Sequence, residues 1–228
     1  MREFNALRNY PQPKEPRYVG PHIRTIKNRI AASYRDKRYY DGDRNNGYGG
    51  FKYDGRWKII VKSMCQDYGL TENMALLQVG CEKGFLLHEF HEHFPGMKIR
   101  GTEISDYAIA NSTPSIRPYL IKSDFHTLPF EDKEFDFVIA IGVVYTLTLR
   151  DAILCLKEIQ RVGKGKSFIT LGAYRNEQGE KLFKYWTLLG ATVLHVNEWV
   201  EVLKEAGYTG DYQFTTAEYL NLAEIKDK

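Results

Sequence analysis

Apolar residues recur in this chain with two periods, and the switches between them set the expected elements. Leu76, Leu77 and Val79 run into the turn Gly80-Cys81-Glu82-Lys83-Gly84, and Leu86, Leu87, Phe90 and Phe94 follow at helical spacing. That order predicts a buried strand, a tight turn and a helix, the unit whose carboxyl-end crevice receives ligands in open α/β sheets. Met97 to Thr102 predicts a second strand ending at Glu103, with Ser105 or Asp106 capping the next helix. Tyr119 to Ile121 predicts a third, leading to Ser123 and Asp124. The almost unbroken apolar run from Phe135 to Val144 predicts a strand covered on both faces. Ala152, Ile153, Leu156 and Ile159 form a helical stripe, and Ser167 to Leu171 reads as a fifth strand. Further on, Glu177 to Leu189 reads as helix, Ala191 to Leu194 as extended chain, Asn197 as the cap of a helix stopping at Gly207, and Tyr212 to Thr216 as a closing strand. Such alternation implies an α/β, Rossmann-like doubly wound sheet, mostly parallel, of six or seven strands with helices on both faces.

The first quarter is patterned differently. Pro11, Pro13, Pro16 and Pro21 forbid a continuous helix over residues 1–22 and predict an extended or loosely ordered leader. Ile23, Ile26 and Ile30 put an apolar stripe on a short basic helix between His22 and Arg35. Tyr39 to Trp57 holds five glycines and six aromatic residues in nineteen positions, too many glycines for a helix and too many rings for a disordered linker. Two readings stand: a lid over the crevice, which the length of the irregular loop favours, or an aromatic plug under the sheet edge. A calcium loop begun at Asp41 is excluded, because Asn46 and Lys52 fall where glycine and a bidentate Glu are required. Ile59, Ile60 and Met64 then mark a helix from Arg56 to Tyr68, stopped by Gly69. The chain therefore divides at residue 55 into a basic arm with its glycine-aromatic loop, 1–55, and a main domain, 56–228.

Charge sharpens that division. Residues 1–38 carry ten Lys/Arg against three Asp/Glu, a net of +7, which leaves −4 for the remainder of a chain whose total is +3. Such an arm suits a phosphate-bearing partner, either RNA or a nucleotide-linked small molecule; the plainer alternative is a solvated leader packed over the body. No apolar run approaches the roughly 18 residues of a membrane span, no signal core is evident, and three scattered cysteines argue against a disulfide framework, so a cytoplasmic protein is expected. His88, His91 and His93 with Glu89 and Glu92 read as a solvated helix face, since the His-to-His spacing of three is not that of a zinc helix; no metal is expected.

Candidate chemistry gathers on successive strand ends. Glu103 lies 23 residues after Gly80, near the spacing at which such sheets place a carboxylate on a ribose diol. A dinucleotide site would offer Gly-x-Gly-x-x-Gly to a pyrophosphate, whereas Glu82 in Gly-x-Glu-x-Gly repels phosphate, so a nucleoside without pyrophosphate is the better ligand. From Arg56 to Tyr208 the chain resembles the class I S-adenosylmethionine-dependent methyltransferases. LLQVGCEKG resembles their glycine-rich first motif, GTEIS the ribose-binding segment, and SDFHTLPFEDKEFDFVIAIGVVYTL the adenine-contacting stretch and fourth strand. The resemblance implies S-adenosyl-L-methionine as cofactor. It places Gly80, Cys81 and Gly84 by the methionine part, Glu103 and Ile104 by the ribose, Asp124 and Phe125 by the adenine, and Gly142 near the sulfonium. Two positions depart from the family pattern: Gln78 stands where an acid is usual and Glu82 where glycine is usual.

Methyl transfer aligns acceptor, methyl and sulfur and, for a hydroxyl acceptor, removes a proton. His126 is the base candidate nearest the motifs and Tyr145 the candidate for orienting the acceptor, with Asp41 and Asp43 further candidates; Thr146 stands where related small-molecule enzymes often have His. No Asn-Pro-Pro-Tyr-like signature follows the fourth strand, which disfavours DNA or glutamine methylation. The Tyr-Gly-Tyr-Gly-Gly-like loop and GYTGDY look similar to methyltransferases of bacterial surface-polysaccharide pathways. The expected acceptor is thus a small polar molecule, a sugar or nucleotide-activated precursor. RNA methylation and a non-catalytic cofactor-binding subunit are the alternatives.

Overall fold

A computed structural model describes residues 1–225. The expected strands form as β3 (Ala75–Val79), β4 (Lys98–Glu103), β5 (Leu120–Lys122), β6 (Phe137–Ala140), β7 (Ser167–Tyr174) and β9 (Asp211–Thr215). Between them run α4 (Phe85–His93), α5 (Asp106–Ala110), α6 (Leu149–Val162), α7 (Glu177–Trp186) and α8 (Val196–Glu205), with α3 (Trp57–Tyr68) leading into β3. The N-terminal quarter adds β1 (Arg2–Glu3), β2 (Arg17–Val19), α1 (Ile26–Ser33) and α2 (Lys37–Tyr40); β8 (Leu194–His195) and β10 (Leu222–Glu224) complete the set.

The sheet order is β1-β9-β7-β6-β3-β4-β5, with β8 paired to the end of β7 and β2 paired to β10 apart from the sheet. Every strand pairing among the described residues is parallel. Because successive strand residues face opposite ways, Leu76, Phe137, Ile139 and Phe168 pack under α3 and α4, while Leu77, Val138, Ala140 and Ile169 pack against α6 and α8. This two-sided burial explains the continuous apolar runs. The chain leaves β3 for β4 on one side and returns to β6 on the other, so a topological switch point lies between β3 and β6.

The leader is non-helical, as its prolines require, with a turn over residues 6–9 between two short strands, and is firmly tied down. Phe4 N–H donates to the Tyr212 carbonyl (2.8 Å), and Ala6 and Leu7 are buried with Ile60 and Met64 of α3. In α1 the isoleucine stripe faces solvent, with Ile26 69% and Ile30 51% exposed. The helix is seated by its other face: Arg29 donates to the carbonyls of Lys184 and Thr187 at the end of α7, Asn28 to Asn46, and Ala32 is buried. Guanidinium bonds to a helix C-terminus decide its orientation against the apolar stripe. The cap of α8 is His195 rather than Asn197; its ring accepts the Asn197 N–H at 3.3 Å. On α4, Glu89 is buried instead of solvated and accepts the Tyr53 hydroxyl at 2.6 Å.

Candidate functional site at the strand ends

Gly80 and Gly84 both adopt left-handed backbone, φ +67° and +75°. A methyl group on Gly80 would lie 2.3 Å from Val143, and one on Gly84 2.3 Å from Ile116. These glycines let the turn bend while the segment before β5 closes on Gly84 and the loops after β5 and β6 close on Gly80. Gly142 (φ +73°) differs: a Cβ there would meet nothing within 4 Å, so its Cα borders open space at the end of β6.

Glu103 ends β4 fully buried. One carboxylate oxygen accepts the N–H groups of Ile104 and Ser105 (both 2.9 Å), the other that of Glu82 (2.8 Å). The acid thereby welds the glycine turn to the end of β4 and retains lone pairs for a diol. Cys81 donates its N–H to the Thr102 carbonyl, and its thiol is directed at Gly101 and pushed well up in pKa by burial and then by the charges of Glu103 and Glu82. Its N–H is thereby engaged within the fold, and the residue lines the cavity beside the glycine turn. Asp124 is exposed and accepts the N–H groups of His126 and Thr127 (2.9 and 3.1 Å), bonds that hold its carboxyl below the ordinary range. Phe125 is buried with its ring 3.7 Å from the Cβ position of Gly80.

The two proposed catalytic groups have different surroundings. His126 lies between carboxylates, 3.9 Å from Asp124 and 3.7 Å from Asp151 at the start of α6. Tyr145 is buried against Phe183 and Gly172, and burial pushes its hydroxyl well up in pKa; Tyr48, Arg35, Glu82 and Arg24 are the charged and phenolic groups it senses.

Three features of the site are not visible in sequence patterns. Glu82 adopts φ +51°, the conformation a glycine would supply, and its carboxylate has no hydrogen-bond partner among the described residues. Burial, and then repulsion from Glu103, push its pKa up to about 7 against the pull of Arg35 and Lys83. Second, Arg35 (φ +47°) spans the crevice: its carbonyl accepts the Ser105 hydroxyl beyond β4, and its guanidinium donates to Thr146 beyond β6 at 3.1 Å. Third, Lys83 of the glycine turn is buried and paired with Asp41 at 2.8 Å, also donating to the Phe51 carbonyl. Tyr107 donates to the same Asp41. Burial pushes the Asp41 carboxyl up, but Lys83 and Tyr107 outweigh it and hold the group below its ordinary range.

The glycine-aromatic loop thus lies over the strand ends. Tyr39, Tyr40 and Phe51 form a cluster with Ala108 of α5 and Leu188 after α7. Between the loop and the glycine turn remains a cavity of about 80 Å³ lined by Gly49, Gly50, Phe51, Gln78, Glu82 and Lys83, among others. Gln78 is buried there with its Oε1 unpaired among the described residues. A hollow of about 250 Å³ between Tyr53 and His88 lies on the outer face of α4, away from the strand ends. Among the described residues no cluster of three or more His, Cys, Asp or Glu side chains could hold a metal ion.

This parallel, doubly wound sheet with its loaded carboxyl ends is the Rossmann-like methyltransferase fold. Residues 77–171, from β3 to β7, match the methyltransferase-domain family model. The 4+2 cyclase SpnF superposes with a TM-score of 0.56 at 18% identity, covering 85% of this chain and 75% of that one. A SAM-dependent methyltransferase from Methanosarcina mazei gives 0.52 at 18% identity over 63% and 82% of the two chains. A further SAM-dependent methyltransferase, from Aquifex aeolicus, gives 0.50 at 18% identity over 68% and 83%. At such identities the likeness is one of fold. No curated protein matches the sequence. No helix among the described residues is long and apolar enough to cross a membrane.

Proposed function

We propose that the chain is an S-adenosyl-L-methionine-dependent methyltransferase acting on a small polar acceptor, a sugar or nucleotide-activated precursor. The observation that carries this reading is the convergence of Gly80, Glu103, Phe125 and Gly142 on one switch point. The acidic residues at the glycine turn, Glu82 and Glu103, suit a cationic nucleoside better than a pyrophosphate. Glu103 would take the ribose diol, Ile104 its neighbouring edge, Asp124 and the Phe125 backbone the adenine. The Gly80 and Gly84 turn would carry the methionine part, with Cys81 contributing packing. The bound cofactor supplies an electrophilic methyl group.

This chain's residues do the rest. Gly142 leaves room at the end of β6, Tyr145 walls the acceptor side, and the loop 35–51 excludes water when closed. That loop must swing outward to admit a ligand, since about 80 Å³ is far below the roughly 300 Å³ at which small-molecule sites begin. His126 is the proposed proton acceptor; its ring lies within 4 Å of Asp124 and Asp151, and its Nε2 has no hydrogen-bond partner among the described residues.

The test is calorimetry of S-adenosylmethionine binding to the wild type and to Gly142→Ala. The added methyl enters open space and adds backbone strain of about 1 kcal/mol. Retained folding with at least tenfold weaker binding, about 1.4 kcal/mol, is expected. A folded wild type that binds none, or a variant that binds equally well, overturns the site.

A further inference from the structure

The exposed apolar side chains of this chain are not scattered. Eleven large ones are exposed among the described residues, and six of them, Tyr18, Ile23, Ile26, Ile30, Tyr34 and Ile225, belong to the region around α1. Ile23, Ile26, Ile30 and Tyr34 follow one another at spacings of three, four and four, so they share one row along the helix and its flanks. Ile225 extends the row at its start. Its N–H donates to the Val19 carbonyl, and its side chain lies 3.9 Å from the Cβ position of Gly20, whose carbonyl accepts the Ile23 N–H. Single apolar residues on a surface need no explanation, whereas a contiguous row marks an interaction site.

The fold holds this row outward. Arg24 donates to the Trp186 carbonyl, Arg29 to the carbonyls of Lys184 and Thr187, and Asn28 to Asn46, so the polar residues of the segment seat it on the body and the isoleucines are left uncovered. Cations flank the row. Lys27 is exposed one turn from both Ile23 and Ile30, Lys37 is exposed three positions after Tyr34, and neither makes an ion pair among the described residues. Asp36, the nearest acid in sequence, is taken by Arg38, whose guanidinium lies 4.0 Å over the Tyr34 ring.

Charge selects the occupant. Residues 1–38 carry +7 and the remainder −4, so a negative surface attracts the arm, repels the body and turns the α1 side toward itself. A second copy of the chain would bring +7 against +7. A protein groove has to match a single projecting row in shape, whereas a bilayer needs no preformed groove: apolar side chains enter between its headgroups while lysines meet its phosphates. With eight residues, α1 is about 12 Å long, far short of a span, so it can only lie in the interface plane.

We propose that the α1 row is a peripheral docking surface for an anionic lipid bilayer, with Ile23, Ile26, Ile30 and Tyr34 entering the headgroup region and Lys27 and Lys37 facing lipid phosphates. This surface is independent of the methyltransferase reading, which concerns the strand ends.

The probe is vesicles of phosphatidylcholine with or without phosphatidylglycerol, cosedimented with the full chain and with two double variants, Ile26→Gln with Ile30→Gln and Lys27→Gln with Lys37→Gln. All four side chains are exposed, so both variants are expected to keep the wild-type circular dichroism spectrum and urea midpoint. The wild type is expected to bind the anionic vesicles and not the zwitterionic ones, and each variant to bind about tenfold or more weakly. Binding should decline as ionic strength rises from about 0.1 to about 1 M, where the screening length falls from about 10 to about 3 Å. No vesicle binding by a folded wild type, or equal binding by the isoleucine variant, overturns the docking surface. Equal binding to both kinds of vesicle overturns the anionic assignment. In sedimentation velocity, a concentration-dependent dimer of the wild type that the isoleucine variant loses would assign the row to a second copy and overturn the lipid proposal. A single-stranded RNA oligonucleotide bound alike by the wild type and the isoleucine variant, with no vesicle binding, would assign the cations to nucleic acid and overturn it as well. S-adenosylmethionine calorimetry on the same samples keeps the two readings apart: vesicle binding without cofactor binding removes the methyltransferase reading alone, and the converse removes the docking surface alone.

Discussion

Glu82 shows what a sequence motif can and cannot convey at the scale of one residue. Gly80, Gly84 and Gly142 are legible as glycines because each takes a positive φ, and Glu103 is legible from its place at a strand end. That Glu82 would adopt the same left-handed backbone is not legible: the position is set by closure of the turn onto β4, a tertiary constraint. Its electrostatics have a testable sign. The folded carboxyl has a pKa of about 7 against an ordinary 4.5, so the native state holds the proton more tightly than the unfolded chain. Stability therefore falls as pH rises from about 4.5 through about 7 and then levels. The facing groups are Glu103, Arg35 and Lys83; the hydroxyls of Tyr39, Tyr40 and Tyr145 and the Cys81 thiol are pushed upward and remain neutral throughout that window. Glu82→Gln keeps the backbone and removes the charge. Chemical unfolding at pH 5.5 and pH 8 should show a smaller difference in the variant than in the wild type; parallel profiles would refute the assignment.

Elements whose signal is local were readable, and those whose signal is distant were not. β3, β6 and β7 carry the nearly unbroken apolar runs of covered strands, and Ser105 caps α5 through its own hydroxyl. By contrast, the isoleucine stripe of α1 points to solvent because bonds to α7, more than 150 residues away, fix the helix. The glycine-aromatic loop was readable as a ring-burying loop, but not its latch, Lys83 to Asp41, which joins residues 42 apart. This latch makes a prediction about the loop as a unit. Asp41→Asn strands a buried ammonium, and breaking a buried pair costs about 3 kcal/mol, nearer the lower bound here because Asp41 is partly exposed. Urea unfolding should register that loss, and amide exchange over residues 35–51 should accelerate as the closed loop opens more often. Unchanged exchange there would mean that the Tyr39, Tyr40 and Phe51 cluster alone holds the loop.

At the scale of the molecule, the N-terminal arm completes the sheet. Composition separates it from the body, since residues 1–38 carry a net +7 against −4 for the rest, yet its first strand pairs with β9 across 209 residues of sequence, and Arg2 bonds Asp211. A two-residue strand has no periodicity, so no local pattern announces it. The physical test of unity is cooperativity. Leu7 is buried with Ile60 and Met64, and Leu7→Ala should cost about 2 to 4 kcal/mol in urea unfolding while preserving a single transition observed by both tryptophan fluorescence and circular dichroism. Two transitions would show that the arm unfolds on its own. Deletion of residues 1–10 goes further, because it removes that leucine and leaves β9 as the exposed edge of the sheet. An uncovered parallel edge offers unpaired N–H and C=O groups to other chains, so the shortened protein should associate in a concentration-dependent way, seen by light scattering, before it unfolds. Scattering identical to that of the full chain would mean that β9 is protected by something other than β1.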